Sequence, residues 1–360
     1  MKLILLMDLD GTLLGNNTDQ FIREYFKLFG QFFSSLFPQE KVLHELKSGT
    51  AKMISNADPQ KTLEKVFDDS FFPALSLTKD QLKPQINRFY AEAFPQLKKF
   101  TELRPEAVQL VEFALKRHYD IIIATNPLFP RTAIEQRLQW AGLPVDRYPF
   151  KLITTYETFH FAKPNPAYYA EILCDLGWPG TPIVMAGNDP EMDIIPARTV
   201  GMMTYLVTEL GDQPSNPVSD RAGSLKEMPE WLEMKEEGQS LSVSKQPKAI
   251  ISALQASLAV LPTNGNHLSG NADLFVKNEL DLLAALRQIT KNTDALPSTA
   301  SFSMEFFYQL RAFSIRLLKS IPEDQLVSTP VPGGDGSTTM MDYLHAFTLS
   351  ECSIIRKYSK

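Results

Sequence analysis

Asp8 and Asp10, in Met7-Asp8-Leu9-Asp10-Gly11-Thr12-Leu13-Leu14, are two carboxylates two residues apart, directly after the apolar run Leu3 to Met7. A strand ending there carries both to one edge of a sheet, where a single metal ion and a single phosphoryl group can share them. Asp8 is then the candidate nucleophile and metal ligand, and Asp10 the candidate general acid and base. Gly11 permits a tight turn, and the backbone N–H groups around it, that of Thr12 included, can cradle phosphate oxygens. Asp-x-Asp-Gly also resembles a calcium loop, but such a loop needs a bidentate Glu at its twelfth position, and counting from Asp8 that residue is Asp19. The plain alternative is a solvated strand-to-loop turn.

Three further positions stand near the expected carboxyl ends of later strands. Thr125-Asn126 follows Ile121–Ala124, and its hydroxyl and amide can bind a phosphate oxygen. Lys163, in Phe161-Ala162-Lys163-Pro164-Asn165-Pro166, offers a compact positive charge on a proline-bounded loop. Gly187-Asn188-Asp189-Pro190-Glu191-Met192-Asp193 follows the run Ile183–Ala186 and supplies a second acidic pair. Each has a duller reading taken singly: a turn threonine, a surface lysine, and two carboxylates favoured by a helix N-terminus. Their occurrence together and in order makes the stronger argument.

Asp8/Asp10, Thr125, Lys163 and Asp189/Asp193 resemble, in that order, the four sequence motifs of the haloacid dehalogenase superfamily, over about residues 1–235. The resemblance implies a Rossmann-like core with an inserted helical cap, and Mg²⁺ held by Asp8, the Asp10 backbone carbonyl and Asp189, with Asp193 auxiliary. Asn188 is a departure, because the commoner family pattern has Gly directly before the acid. A phosphate monoester is doubly negative, so Asp8 can approach its phosphorus only if Mg²⁺ and Lys163 offset that charge. The expectation is a phosphatase acting on a small phosphorylated molecule through an aspartyl-phosphate. The alternatives are a phosphomutase of the same superfamily, or a binding or scaffolding protein with an incidental core. Asp10 argues against dehalogenation, since departing halide needs no proton.

The elements that must position these groups follow from hydrophobic patterning. Short apolar runs at Leu3 to Met7, Asp120–Ala124, Ile183–Ala186 and Met202–Val207, and a weaker one at Lys151–Thr154, predict strands buried on both faces. Helical patterns lie between them. One starts at Pro105, with Val108, Val111 and Leu115 in register, and another at Asn165-Pro166, closed by Gly177. Such α/β alternation predicts a parallel sheet that binds ligand beyond its carboxyl ends. Residues 16–100 contain no clear strand. Phe21, Tyr25, Phe29, Phe32 or Phe33, and Phe37 recur there at helical spacing, which predicts an inserted helical subdomain with that stripe as its core. The expected core is thus residues 1–15 and 101–235, ending in an amphipathic piece around Leu225–Leu232, and the cap is 16–100.

Residues 236–247 read as a polar linker. Beyond it, 248–360 predict a four-helix bundle, with a stripe of Ile250, Leu254, Leu258 and Leu261 and further helices within 272–289, 302–320 and 338–358. The stretch Phe306 to Leu318, Gly333-Gly334 and Met341-Asp342-Tyr343-Leu344 resembles the DinB-like bundle family. That family's metal-binding histidines correspond to Leu274, Ser350 and Ile354 here, which implies that the metal site is missing. His267 and His345 are expected to be structural. The bundle would serve packing, homodimer formation or a protein partner.

With 360 residues and 44% hydrophobic content, the chain can bury the cores of two domains. A net charge of −6, with both signs interspersed, offers no broad positive field for nucleic acid or anionic lipid. Cys174 and Cys352 are far apart and in no metal or redox spacing, which fits a reducing cytoplasm. No run approaches the roughly 18 apolar residues of a membrane span, and Asp8 and Asp10 cut the first run short of signal-peptide length.

Overall fold

Strands covered on both faces read as unbroken apolar runs, and such runs pair here into one parallel sheet. A computed structural model of the chain describes residues 3–209, 218–235, 245–260, 272–296, 304–332 and 338–358. The chain divides into two compact units, Met1–Asn165 with Thr181–Arg198 and Met202–Ser240, and Pro166–Gly180 with Thr199–Gly201 and Leu241–Lys360.

The first unit opens with β1 (Ile4–Met7), every residue of which is buried, and the short β2 (Leu14–Asn16). The cap follows as α1 (Thr18–Phe32), α2 (Gln39–Ile54), α3 (Leu63–Ala74) and α4 (Lys79–Arg88). A π turn (Phe89–Ala93) and a 3-10 segment (Phe94–Phe100) then lead into β3 (Thr101–Leu103). After α5 (Pro105–Lys116), β4 (Asp120–Ile123), α6 (Arg131–Trp140) and β5 (Leu152–Ile153), the helix α7 (Pro166–Asp175) belongs to the second unit. The first resumes with β6 (Ile183–Gly187), a π turn (Pro190–Ile194), α8 (Ile195–Thr199), β7 (Met203–Val207), β8 (Arg221–Gly223) and α9 (Met228–Lys235). The six-stranded sheet has the order β5-β4-β1-β6-β7-β8, with every pairing parallel. Each run expected to be a strand contains one.

Two features escape the apolar pattern because their strands are only three residues long. β8 adds an edge to the sheet. β2 and β3 pair antiparallel, Leu14 with Leu103 and Asn16 with Thr101, so the chain enters and leaves the cap through a two-stranded ribbon. On α5 the expected stripe is shifted. The buried face is Ala107, Leu110, Val111 and Ala114, with Val108 and Leu115 only half-buried, because two alanines admit the close approach. The cap packs as the aromatic spacing predicts: Phe21, Tyr25, Phe29 and Phe33 are buried, and Phe29 lies 4.5 Å from Phe33 and 5.0 Å from Phe89 between ring centroids. Phe94 stacks at 5.5 Å on Trp140 of α6, which ties the base of the cap to the α/β layer.

Pro166 begins α7 in the second unit, and Gly177, at φ +67°, follows its end. This helix, placed with the core on sequence grounds, packs against α10 (Pro247–Val260). The bundle continues with α11 (Ala272–Thr290), α12 (Met304–Ser320), the short α13 (Glu323–Ser328) and α14 (Met340–Tyr358). Instead of the single stripe expected, α10 is buried nearly all round. Its small residues, Ala249, Ser252, Ala253, Ala256, Ser257 and Ala259, let neighbours approach from every side. Of the residues expected to form a linker, 236–244 lie outside the described residues, as do Leu261 and His267. Leu274 and Ser350 are exposed, and Ile354 and His345 are half-buried.

Arg311 on α12 fills the bundle centre. Fully buried, it donates through Nε to Glu279 Oε2 at 2.7 Å and through Nη1 to Glu351 Oε1 and Ser257 Oγ, each at 2.8 Å. Its Nη2 donates to Glu351 Oε2, and the guanidinium lies over the Phe307 ring at 4.8 Å. Burial raises the Glu279 carboxyl above its usual range, and Arg311 opposes that rise. Arg311→Ala strands two buried carboxylates and should destabilise these helices by about 3–5 kcal/mol. Urea unfolding followed by circular dichroism measures this, and an unchanged midpoint would show the triad to be energetically neutral.

Candidate active site

In a parallel sheet every strand points the same way, so residues just past three adjacent strands converge whatever their distance in sequence. β4, β1 and β6 are neighbours, with Met7 level with Ile123 and Ala186. Asp8, Thr125 and the 188–193 loop therefore meet at one edge. The Asp8 N–H donates to Ala186 O at 2.9 Å, which keeps the backbone in register one residue beyond β1. The chain then turns sharply. Gly11, at φ +79°, donates to Leu14 O at 2.8 Å, and a Cβ there would stand 2.8 Å from Asn188 Nδ2.

Lys163 comes from the loop between β5 and α7. Only 1% exposed, it donates through Nζ to Asp8 Oδ1 at 2.8 Å and Asp193 Oδ1 at 2.6 Å. Its backbone N–H donates to Asn126 Oδ1 at 3.2 Å, so the amide expected to bind phosphate also fixes this lysine loop. Asp193 turns back over the end of β6, where Gly187 makes room: a Cβ there would lie 2.2 Å from Asp193 Oδ2. That oxygen accepts the Asp189 N–H at 3.1 Å. Thr125 is buried, and its carbonyl accepts the Thr154 hydroxyl at 2.8 Å.

Two buried carboxylates thus share one ammonium, with Asp10 close by. Burial pushes the Asp8 carboxyl up to about 7, with Lys163 pulling it down and Asp193 and Asp10 adding to the rise. Such a site attracts another positive charge.

Asp8, Lys163 and Asp193 are joined by hydrogen bonds, and Asp189 is tied to them through its backbone N–H on Asp193. Asp189 Oδ1 accepts the N–H groups of Glu191 at 2.9 Å and Met192 at 3.1 Å, which caps the turn that follows. Asn188 faces the catalytic loop instead, accepting the Thr12 hydroxyl at 3.0 Å. The polar group directly after β6 points at its neighbours' ends, and the next residue serves the turn.

Asp10 has partners that the sequence gives no hint of. Oδ1 accepts from Asn16 Nδ2 at 3.0 Å, and Oδ2 accepts from Nη1 of Arg137. Arg137, on α6 and only 2% exposed, lies 4.6 Å from the Phe129 ring centroid. Its Nη2 and Asn16 Oδ1 are buried without a hydrogen-bond partner among the described residues. An arginine in mid-helix ordinarily reads as a solvated charge, so nothing short of the fold marks this one.

All potential ligands at this edge are oxygens: the Asp8 and Asp193 carboxylates, the Asp10 backbone carbonyl and the Asn188 amide. Among the described residues no three His, Cys, Asp or Glu side chains form a cage for a metal. That set suits Mg²⁺, a hard cation that uses one or two carboxylates and completes its shell with water and substrate phosphate.

A phosphoserine phosphatase from Thermus thermophilus is 29% identical over 150 residues, which cover 40% of this chain and 57% of that protein, so the chain matches little more than half the relative's length. A haloacid dehalogenase-type phosphatase structure from Thermococcus onnurineus is 20% identical with a TM-score of 0.42, covering 64% of this chain and 98% of that one. A 2-haloacid dehalogenase structure from Pseudomonas syringae is 18% identical with a TM-score of 0.45, covering 65% and 99%. The sequence model of the haloacid dehalogenase-like hydrolases matches residues 3–201, more than half of the chain and every strand-end residue described above, and the chain belongs to that family.

Proposed function

We propose that this hydrolase is a Mg²⁺-dependent phosphatase of small phosphomonoesters. The observation that carries the reading is the buried Asp8, pushed up to about 7 and bonded to Lys163, with a second carboxylate, Asp10, two residues on. Similarity to a phosphoserine phosphatase supports it. A bound Mg²⁺ would neutralise phosphoryl oxygens and hold Asp8 ionised. Asp8, the Asp10 carbonyl, Asp193 and Asn188 are the residues to hold it, with Asp189 in reserve.

Asp8 Oδ attacks phosphorus, the ester P–O bond breaks, and Asp10 gives its proton to the departing oxygen. Asp10 then takes a proton from the water whose oxygen attacks the aspartyl-phosphate, so that inorganic phosphate leaves and Asp8 is regenerated. Lys163 offsets charge on Asp8 and on the transferred group. Thr125 and Asn126 are the donors for phosphate oxygens; the N–H groups of Gly11 and Thr12, expected to cradle phosphate, are instead taken by Leu14 O and Leu9 O, because the turn after Asp8 closes on itself. Since Asn16 and Arg137 engage both Asp10 oxygens, one of those bonds must open for each proton transfer.

Asp8→Asn should lower phosphate release from a phosphomonoester by about 10³-fold or more. The same variant tests the electrostatics. A carboxyl whose pKa is raised in the folded state, from 3.8 to about 7, stabilises fully below pH 3.8, and that contribution is lost as pH rises through 7. Metal-free protein should therefore lose stability over that window and regain it with Mg²⁺ at pH 8. Asp8→Asn should raise the metal-free Tm at pH 8 by about 3 °C or more and abolish the Mg²⁺ response. A calorimetric scan showing neither change would reject the metal assignment.

Arg137→Ala should lower kcat for an alkyl phosphate by about 10- to 100-fold, with KM changed less than about threefold, because it misplaces Asp10 and leaves phosphate contacts intact. Arg137→Lys should recover part of that loss. Equal loss in both variants, carried by KM, would assign Arg137 to substrate binding.

A further inference from the structure

The cap encloses, against the strand-end loops of its own unit, a cavity of about 650 Å³, which is in the range of small-molecule sites. Its wall is largely apolar, with rings from Tyr25, Phe29, Phe71, Tyr90, Phe129 and Tyr156. The aromatic stripe of α1 thus does two things: Phe21 and Phe33 pack the cap interior, while Tyr25 and Phe29 also face the cavity. The Tyr25 and Tyr90 hydroxyls are bonded to each other at 3.3 Å, and burial pushes the Tyr25 phenol up to about 12.

Three loops that carry the phosphoryl chemistry also reach this wall. Leu128, whose N–H donates to Asn126 O at 2.8 Å, follows the Thr125-Asn126 pair. Met192 donates its N–H to Asp189 at 3.1 Å, and Asp19 lies three residues after the Asn16 that holds Asp10. Asp8, Asp10, Thr125 and Lys163 are not among the lining residues, so a leaving group would reach the cavity past these three segments.

The charges there select against a second anion. Four carboxylates, Asp19, Glu64, Asp68 and Glu157, line the cavity against two lysines. One of those, Lys79, is occupied by Glu64 at 2.6 Å and Asp68 at 2.7 Å. A leaving group bearing a carboxylate or a second phosphate would be repelled, and an uncharged ring would bury its surface among rings.

We infer that this cavity is the leaving-group site, and that the substrates are phosphate esters of a bulky apolar, ring-bearing alcohol without a second anionic group. The inference rests on the phosphatase reading for turnover but not for binding. The test compares ethyl phosphate, 2-phenylethyl phosphate and O-phosphoserine on the full chain with Mg²⁺, alongside calorimetric binding of ethylphosphonate and 2-phenylethylphosphonate.

Burying a phenyl ring should raise kcat/KM about 10- to 100-fold over ethyl phosphate, chiefly through KM, with phosphoserine no better than ethyl phosphate. The phosphonates should show a similar ratio in Kd. Thr50→Trp, which projects an indole from the α2 side of the cavity, should bring both ratios to about 1. Equal kcat/KM for all three esters, or a preference for phosphoserine, overturns the inference. If no ester releases phosphate yet the phenylethylphosphonate binds about tenfold tighter, the phosphatase reading fails and the cavity assignment stands. Equal binding of both phosphonates removes the assignment.

Discussion

The buried ammonium of Lys163, bonded at once to Asp8 and Asp193, is the interaction on which the site depends. A lysine only 1% exposed needs carboxylates close by, and Asp8 and Asp193 both meet it. Every nearby feature can be traced to that constraint. Gly187 lacks a Cβ so that Asp193 can fold back, the Asn126 side chain pins the Lys163 backbone, and the Asp8 N–H is held to β6. Burial is the main reason the Asp8 carboxyl is pushed up, and the neighbouring Asp193 and Asp10 carboxylates add to it against the pull of Lys163.

How much of this was legible in the sequence follows from the range over which each signal acts. Unbroken apolar runs locate the five strands β1, β4, β5, β6 and β7, because burial on both faces leaves polar residues no place within them. Parallel pairing then brings the residues after those runs together, which is why Asp8, Lys163 and Asp193 could be named in advance. What failed had no local signature. β2, β3 and β8, of three residues each, are too short for periodicity to register. On α5, two alanines carry the buried face that Val108 and Leu115 seemed to claim. In the loop after β6, Asn188 and Asp189 differ by one position. Asn188 meets Thr12 while Asp189 caps the next turn, a division that only three dimensions fix.

Arg137 is the plainest case of information that sequence does not hold. On a helical wheel it is one more charge, yet the fold buries it beneath Phe129 and against Asp10. The same holds for Arg311 between Glu279 and Glu351 in the second unit. In both, the face of a buried guanidinium lies on a ring; the planar fork of Arg311 meets Glu279, Glu351 and Ser257 at once, while Arg137 meets Asp10 and the Ala133 carbonyl. Lysine in either place would meet fewer of those demands. Buried arginine is thus a property of partners assembled from distant segments, 127 residues apart for Asp10 and Arg137.

The cap and Asp10 are joined through the same hydrogen bonds and strand pairing. Asn16, which holds one oxygen of Asp10, is the last residue of β2 and pairs with Thr101 of β3 in the ribbon through which the chain enters and leaves the cap. Arg137, which holds the other, stands beside Gln136, whose Nε2 donates to Tyr90 O of the cap at 2.8 Å. The cap is tied again where the Leu63 N–H donates to Phe159 O and the Glu64 N–H to Tyr156 O, each at 2.8 Å, on the loop leading to Lys163. Any displacement of the cap pulls on both anchors of Asp10 and on the approach to Lys163 together. The placement of Asp10, the loop leading to Lys163 and the cap are thus held by the same few contacts within this unit.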